Sequence, residues 1–235
     1  MEAFAEKTQE ICELYRSAAE LEKSETHVYS TDEKMALQAT EHKNPKQAMK
    51  PGQVEGIDPE YERHGTTGII ASRSVATGEI IHPLVQPTRK EEDFAKHIAL
   101  VVSTDPLGRH IFVTDHLNTH MSENLVRFVA NDEGIEPETI GIKGKSGILK
   151  SMASREEFLA DKSHRISFVY TPKHCSWLNQ IEIWFSIITR RLLNKRSSFT
   201  SVADLEWRIW DFIDYYNLHL CKPFLWNYKG KLLCA

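Results

Sequence analysis

A mixed α/β fold, with one central sheet flanked by helices, is what this sequence predicts. Two short runs, "RHIFVTD" and "RISFVYTP", are rich in β-branched and aromatic residues, which marks them as buried strands. "TTGIIASRSV" and "GEIIHPLVQ", joined by "ATGE", read as an antiparallel hairpin. Helical spacing of apolar residues dominates between and after these runs, above all in 178–195 and 201–219. Strands interleaved with helices build one sheet with helical layers on it.

In chain order, residues 3–23 place Phe4, Ile11, Leu14, Tyr15 and Ala18 at helical spacing, which predicts an N-terminal helix. "THVYSTDEK" follows as a short strand. Residues 41–65 are polar, with three prolines and three glycines, and read as a long loop before the hairpin. "TRKEEDFAKHIALVVSTD" opens on Thr88 with an acidic first turn, a helix start. After the strand "RHIFVTD", "MSENLVRFVAND" is a further helix. Residues 132–164 form a Gly- and Lys-rich insertion ending in the short helix "SREEFLADK"; Pro172 then halts the strand "RISFVYTP".

With 235 residues, 41% of them hydrophobic, the chain has material for a sizeable core. The net charge of −4 gives no overall argument for an anionic partner, but the charge is unevenly spread. Residues 162–200 hold seven Lys or Arg against the single acid Glu182, a local basic segment. Cys12, Cys175, Cys221 and Cys234 are dispersed without a CxxC pair, which argues against a disulfide framework or a zinc ribbon. Apolar runs are short and the start is charged, so neither a membrane span nor a signal peptide is expected, and the protein reads as cytoplasmic.

Three acids have an unusual setting. Asp32 closes "HVYSTD", Asp115 closes "HIFVTD", and Glu182 lies in the first turn of an apolar helix. On that helix Ile181, Trp184, Phe185, Ile188 and Leu192 make one stripe; Glu182 falls beside it, near the small Ser186 and Thr189. No Lys or Arg stands at i±4 to answer it. Two strand-end Asp residues and one helix Glu would converge on a point, and converging carboxylates repel unless cations lie between them. Hard oxygen ligands suit Mg²⁺ or Mn²⁺. Two such ions about 4 Å apart stabilise the entering and leaving oxygens of a phosphoryl displacement.

Three stretches, "STDEK" (30–34), "VTDHLNTHMSE" (113–123) and "YTPKHCSWLNQIEIWFSIITRR" (170–191), resemble the IS630-type transposases of the IS630/Tc1/mariner group. The resemblance implies an RNase H-like fold with Asp32, Asp115 and Glu182 as catalytic, metal-binding triad. It also implies water-driven strand cleavage at transposon ends, then attack of the freed 3′-hydroxyl on target DNA. The partners implied are transposon-end and target DNA, with a homodimer formed on it and the protein associated with the nucleoid. Members of that group carry a helix-turn-helix region ahead of the catalytic domain, and Asp32 lies too near the start of this sequence to leave room for one. Residues 1–25 then read as an N-terminal helix or linker remnant, and 26–235 as the catalytic domain. A nuclease of the same fold without strand transfer, or an inactive DNA-binding remnant, are the alternatives.

Glu33 neighbours Asp32 but points to the opposite sheet face, a reserve ligand. His116 and His120 stand four apart at a strand-to-helix turn without an HExxH pattern, so orienting Asp115 or touching phosphate suits His120 better than zinc. Asn118 is placed for similar supporting work. "GIKGKSG" lacks the first glycine of a P-loop, having Thr139 there, so no nucleotide cofactor is expected. Lys143, Lys145 and Lys150 are either phosphate contacts or a solvated loop. Lys173, Arg190, Arg191, Lys195 and Arg196 flank the Glu182 helix and suit backbone phosphates, and Trp177 suits stacking on an unpaired base.

Overall fold

The computed structural model describes residues 2–44, 47–56, 59–194 and 196–228. The elements are α1 (Glu2–Glu22), β1 (Thr26–His42), β2 (Tyr61–Ser74), β3 (Ile80–Val85), α2 (Glu91–Val102), β4 (Arg109–Thr114), α3 (Glu123–Asp132), α4 (Pro137–Ile140), α5 (Met152–Leu159), β5 (Ile166–Tyr170), α6 (Ile181–Arg191) and α7 (Val202–His219). The five strands form one sheet in the order β3-β2-β1-β4-β5. β1, β2 and β3 pair antiparallel, whereas β4 and β5 run parallel to β1. This mixed sheet flanked by helices is the RNase H-like fold.

The period-two alternation of strands sorts neighbours onto opposite faces. Tyr29, Ile70, Phe112 and Phe168 pack with α2, α3 and α5 on one face. Val28 and Val113 meet α1, and Ile69 and Ala71 meet α6 and α7, on the other. α1 is bound into this core, since Ile11, Cys12, Tyr15 and Ala18 are buried against it. The 132–164 stretch is also anchored, with Ile140, Leu149 and Leu159 buried. Among the described residues no helix is long and apolar enough to cross a membrane.

Several boundaries differ from the expectations. Asp32 does not close its strand: β1 runs on to His42, because β2 continues to pair with it as far as Tyr61. What ends near Asp32 is the parallel partner β4, at Thr114. The loop expected over 41–65 is correspondingly shorter, since its two ends belong to β1 and β2. α2 starts at Glu91 rather than at Thr88; Asp93 reaches back to the Lys90 amide at 2.7 Å and to the Thr88 hydroxyl at 2.9 Å, leaving Thr88 outside. α6 is confined to 181–191, and Ser176–Leu178 before it form a single 3₁₀ turn.

Candidate active site

Alternation along β1 puts Asp32 on the face with Val28, toward α1 and α6, and Glu33 on the face with Tyr29. In the parallel register Ser30 lies opposite Val113, so two residues on, Asp32 comes level with Asp115 just beyond β4. One ligand atom each from Asp32, Asp115 and His120 fall within 4.8 Å of one another. Burial, and after it the charge of Asp115, push the Asp32 carboxyl up to about 7. The Asp pair thus carries mutual repulsion with no Lys or Arg contact in the described structure.

His120, fully buried in the 3₁₀ turn Asn118–Met121, supports Asp115 from behind. Its Nδ1 donates to Asp115 Oδ1 at 2.8 Å and its Nε2 to Glu33 Oε2 at 2.9 Å. Burial would lower an imidazole, but the two carboxylates raise His120 to about 10. Both His120 nitrogens are engaged by carboxylates, which places the ring to orient Asp115. Against the effect of burial, its hydrogen bond and charge hold both Asp115 and Glu33 below the ordinary carboxylate range. Glu33 is spent on this pairing on the far face. His116 also turns away, bonding the Thr171 carbonyl at 2.8 Å and Glu156 at 3.1 Å. Asn118 is exposed, and its side chain makes no hydrogen bond among the described residues.

Glu182 is exposed in the first turn of α6 and stands outside the 4.8 Å group. The stripe beside it is as the periodicity predicts: Ile181, Trp184, Phe185 and Ile188 are buried, with Leu192 half-buried. What sequence reasoning missed is the anchoring of the segment that leads into this helix. Asn179, 1% exposed, donates its Nδ2 to Asp32 Oδ2 and to the Thr31 carbonyl, both at 3.1 Å. Its Oδ1 accepts from Ser30 Oγ, which itself accepts from the Ile181 amide at 2.8 Å. Tyr15 Oη donates to the Leu178 carbonyl and Arg73 Nη1 to Gln180 Oε1, each at 2.8 Å. Three elements therefore hold residues 178–180, and Glu182 begins one turn after the Asn that touches Asp32. The signal was Asn179 three positions before Glu182, but its partners lie more than 140 residues away in sequence.

The basic residues fall into two groups. Lys173, Arg190 and Arg191 are exposed, and so is Arg196, which reaches Glu55 at 3.4 Å. Trp177 is 51% exposed, its ring edge-on to Tyr228. Lys145 and Lys150 are also exposed, whereas Lys143 is held by Glu91 at 3.1 Å. Lys195 lies outside the described residues.

The RNase H-like sheet thus brings Asp32, within β1, level with Asp115, just past the end of the parallel strand β4. The family follows from the sequence: the profile of the DDE superfamily endonucleases matches residues 27–206, and the chain belongs to that family. No curated protein sequence is significantly similar to it. In fold it is similar to the Mos1 transposase in a paired-end complex with the left transposon end, at 15% identity and a TM-score of 0.54. That match covers 98% of this chain and 58% of the other, so the chain spans little more than half of that transposase. The catalytic domain of Mos1 mariner transposase is matched at 11% identity and TM-score 0.51, covering 98% of this chain and 87% of that one. The same domain with Raltegravir and Mg gives 11% and 0.52, with coverages of 98% and 89%.

Proposed function

We propose that this chain is the catalytic domain of a transposase of the Tc1/mariner group, in its IS630 branch. It cuts DNA at the ends of a mobile element and transfers the freed 3′-hydroxyl to target DNA. The observation that carries this reading is the facing of Asp32 and Asp115, whose repulsion His120 offsets at Asp115 but leaves strong enough that the Asp32 carboxyl stands at about 7. Membership of the endonuclease family and the folds of transposases described with transposon ends, Mg or Mn support it.

The donor set fits hard divalent cations: two carboxylates meet, one with its proton affinity raised, and a third begins the nearest helix. Asp32, Asp115 and Glu182 would hold Mg²⁺ or Mn²⁺, two ions in all, which when bound polarise the phosphate and lower the pKa of water. The chain's own residues prepare that state. Asn179 fixes one oxygen of Asp32, and His120 fixes one of Asp115, so neither carboxylate has to be ordered at the moment of reaction. No nucleophilic side chain is needed, because water and then the 3′-hydroxyl attack. Lys173, Arg190, Arg191, Lys195 and Arg196 neutralise backbone phosphates, Trp177 stacks on an unpaired base, and Lys145 and Lys150 add outer contacts. Lys143 joins them only by releasing Glu91. Two copies act together because two ends must be joined, and the protein works on the nucleoid. Residues 26–235 form this catalytic domain, with α1 as its cover.

The test is nicking of supercoiled plasmid in Mn²⁺, followed by joining of an oligonucleotide 3′-end to the plasmid. Asp32→Asn, Asp115→Asn and Glu182→Gln should each lower nicking by at least about 100-fold, since metal-borne charge stabilisation amounts to several kcal/mol. Mn²⁺ binding measured by calorimetry should weaken in parallel. Full nicking in any of the three removes that residue from the triad, and nicking without joined product identifies a nuclease instead.

A further inference from the structure

An open groove of about 690 Å³ lies beyond the carboxylates, between the far half of β1 and the end of α6. Its lining starts at Lys34, two residues past Asp32 on β1, and at Thr189 on the Glu182 helix. On one side β1 runs on from Asp32 through Lys34 to Thr40 after its parallel partner β4 has ended; the Phe199 amide takes the Thr40 carbonyl at 2.8 Å, and the stretch from Lys34 to Gln38 has no strand beside it on that edge among the described residues. On the other side Thr189 lies two helical turns beyond Glu182, past the exposed Ser186 on the same face. Asn194 follows at the end of the helix, and Phe199, 2% exposed, belongs to the groove's apolar lining.

The lining chemistry is selective. In a chain with more acids than bases, no Asp or Glu lines this groove among the described residues. Lys34 stands at the end nearest Asp32, with its Nζ 5.7 Å from the centre of the Phe185 ring. Gln38, exposed on β1, offers an amide donor. Tyr61, 46% exposed, has the Arg63 guanidinium 5.5 Å from its ring centre, so an aromatic surface and a positive charge sit together. The volume is in the range of small-ligand clefts, roughly 300–1,000 Å³, and suits nucleotide-sized groups rather than a duplex.

We infer that this groove takes the unpaired end of the DNA strand at the cut, with phosphate at Lys34 and a base against Tyr61. The inference rests on the transposase reading above and names where the strand goes on leaving the carboxylates. Its two walls belong to the elements that carry Asp32 and Glu182, its lining lacks repelling acids, and it combines donors with an aromatic ring, which is how single strands are held without sequence readout.

The test is fluorescence anisotropy with the full chain and a short duplex, either blunt, bearing a single-stranded extension, or bearing the same extension made abasic. The wild type should bind the extended duplex about 5- to 100-fold more tightly than the blunt one, the range that a stacked base supplies. The abasic extension should lose that preference. Tyr61→Ala and Gln38→Glu, both at exposed positions, should lose it too, while blunt-duplex binding and melting temperature hold. Absence of the preference in the wild type, or its survival in either variant, overturns the inference. Plasmid nicking separates the two readings. Carboxylate-dependent nicking with no extension preference refutes the groove alone, whereas loss of any dependence on Asp32 and Asp115 refutes the active site beneath it.

Discussion

Replacing His120 by alanine tests the support of the site from a direction that activity alone does not. The Glu33 side chain is 1% exposed and His120 is 0% exposed, so the pair is shielded from solvent. Without the imidazolium, Glu33 keeps a long 3.4 Å contact from Thr119 Oγ1 and no cation beside it among the described residues. Breaking a buried pair by removing one partner costs about 3–5 kcal/mol, because the other charge is left uncompensated. For a domain of this size each kcal/mol moves the melting midpoint by roughly 2–4 °C, so His120→Ala should melt about 6–20 °C lower at neutral pH. The loss should shrink toward pH 5. There the stranded Glu33, whose carboxyl is now raised in the folded state, takes up a proton and its buried charge disappears. The diagnostic experiment is a double-variant cycle by thermal melting. Adding Glu33→Gln to His120→Ala removes the lone charge and should recover more than half of the deficit. A double variant no more stable than His120→Ala, at pH 5 and pH 8 alike, refutes the argument and reduces His120 to a space-filling residue beside Phe94.

Asn179→Ala should weaken Mn²⁺ binding by about 10-fold, the scale on which residues that orient a metal ligand act, with Ser30→Ala moving it in the same direction; unchanged calorimetric affinity in both removes Asn179 from the positioning role. Far from the site, His27 bridges Glu22 at 3.0 Å and Asp105 at 2.9 Å; burial would lower it, but these hydrogen bonds raise it, and its ring lies 5.2 Å from that of His110. Because the folded-state value is raised, this contribution is fully present below about pH 6.5, the ordinary imidazole value, and is lost as pH rises through the folded value. The melting difference between wild type and Asp105→Asn should therefore be largest at pH 6 and narrow toward alkaline pH, and a constant difference refutes the charged bridge.

What the sequence made legible was local. Apolar runs in "HIFVT" and "ISFVY" announced β4 and β5, and the Ile181–Ile188 spacing announced the buried stripe of α6, because burial on one face imprints its own period. Strand ends were less legible, as Asp32 shows. A polar residue after an apolar run looks like an end, yet β1 continues because β2 supplies its hydrogen bonds on one edge, and pairing of that kind leaves no local mark. Neither did the His120–Glu33 pair: the alternation correctly turned Glu33 from Asp32, but its partner comes from a turn 87 positions away.

These two facts are linked through the change of strand direction in the sheet. On the antiparallel side β2 extends β1 well beyond Asp32, while on the parallel side β4 stops level with it and releases Asp115 into a turn. A carboxylate in mid-strand is held by sheet pairing; one just past a strand end needs a separate brace, and His120 supplies it. The same asymmetry leaves β1 without a strand beside it just past Asp32, until Phe199 bonds Thr40 at the far end of the acid-free groove. A sheet parallel throughout would have ended both strands together, leaving the two Asp residues on loops and no walled path away from them. The switch from antiparallel to parallel pairing thus fixes one acid rigidly, frees the second to be aimed by a histidine, and exposes on β1 the wall that the proposed strand path would use.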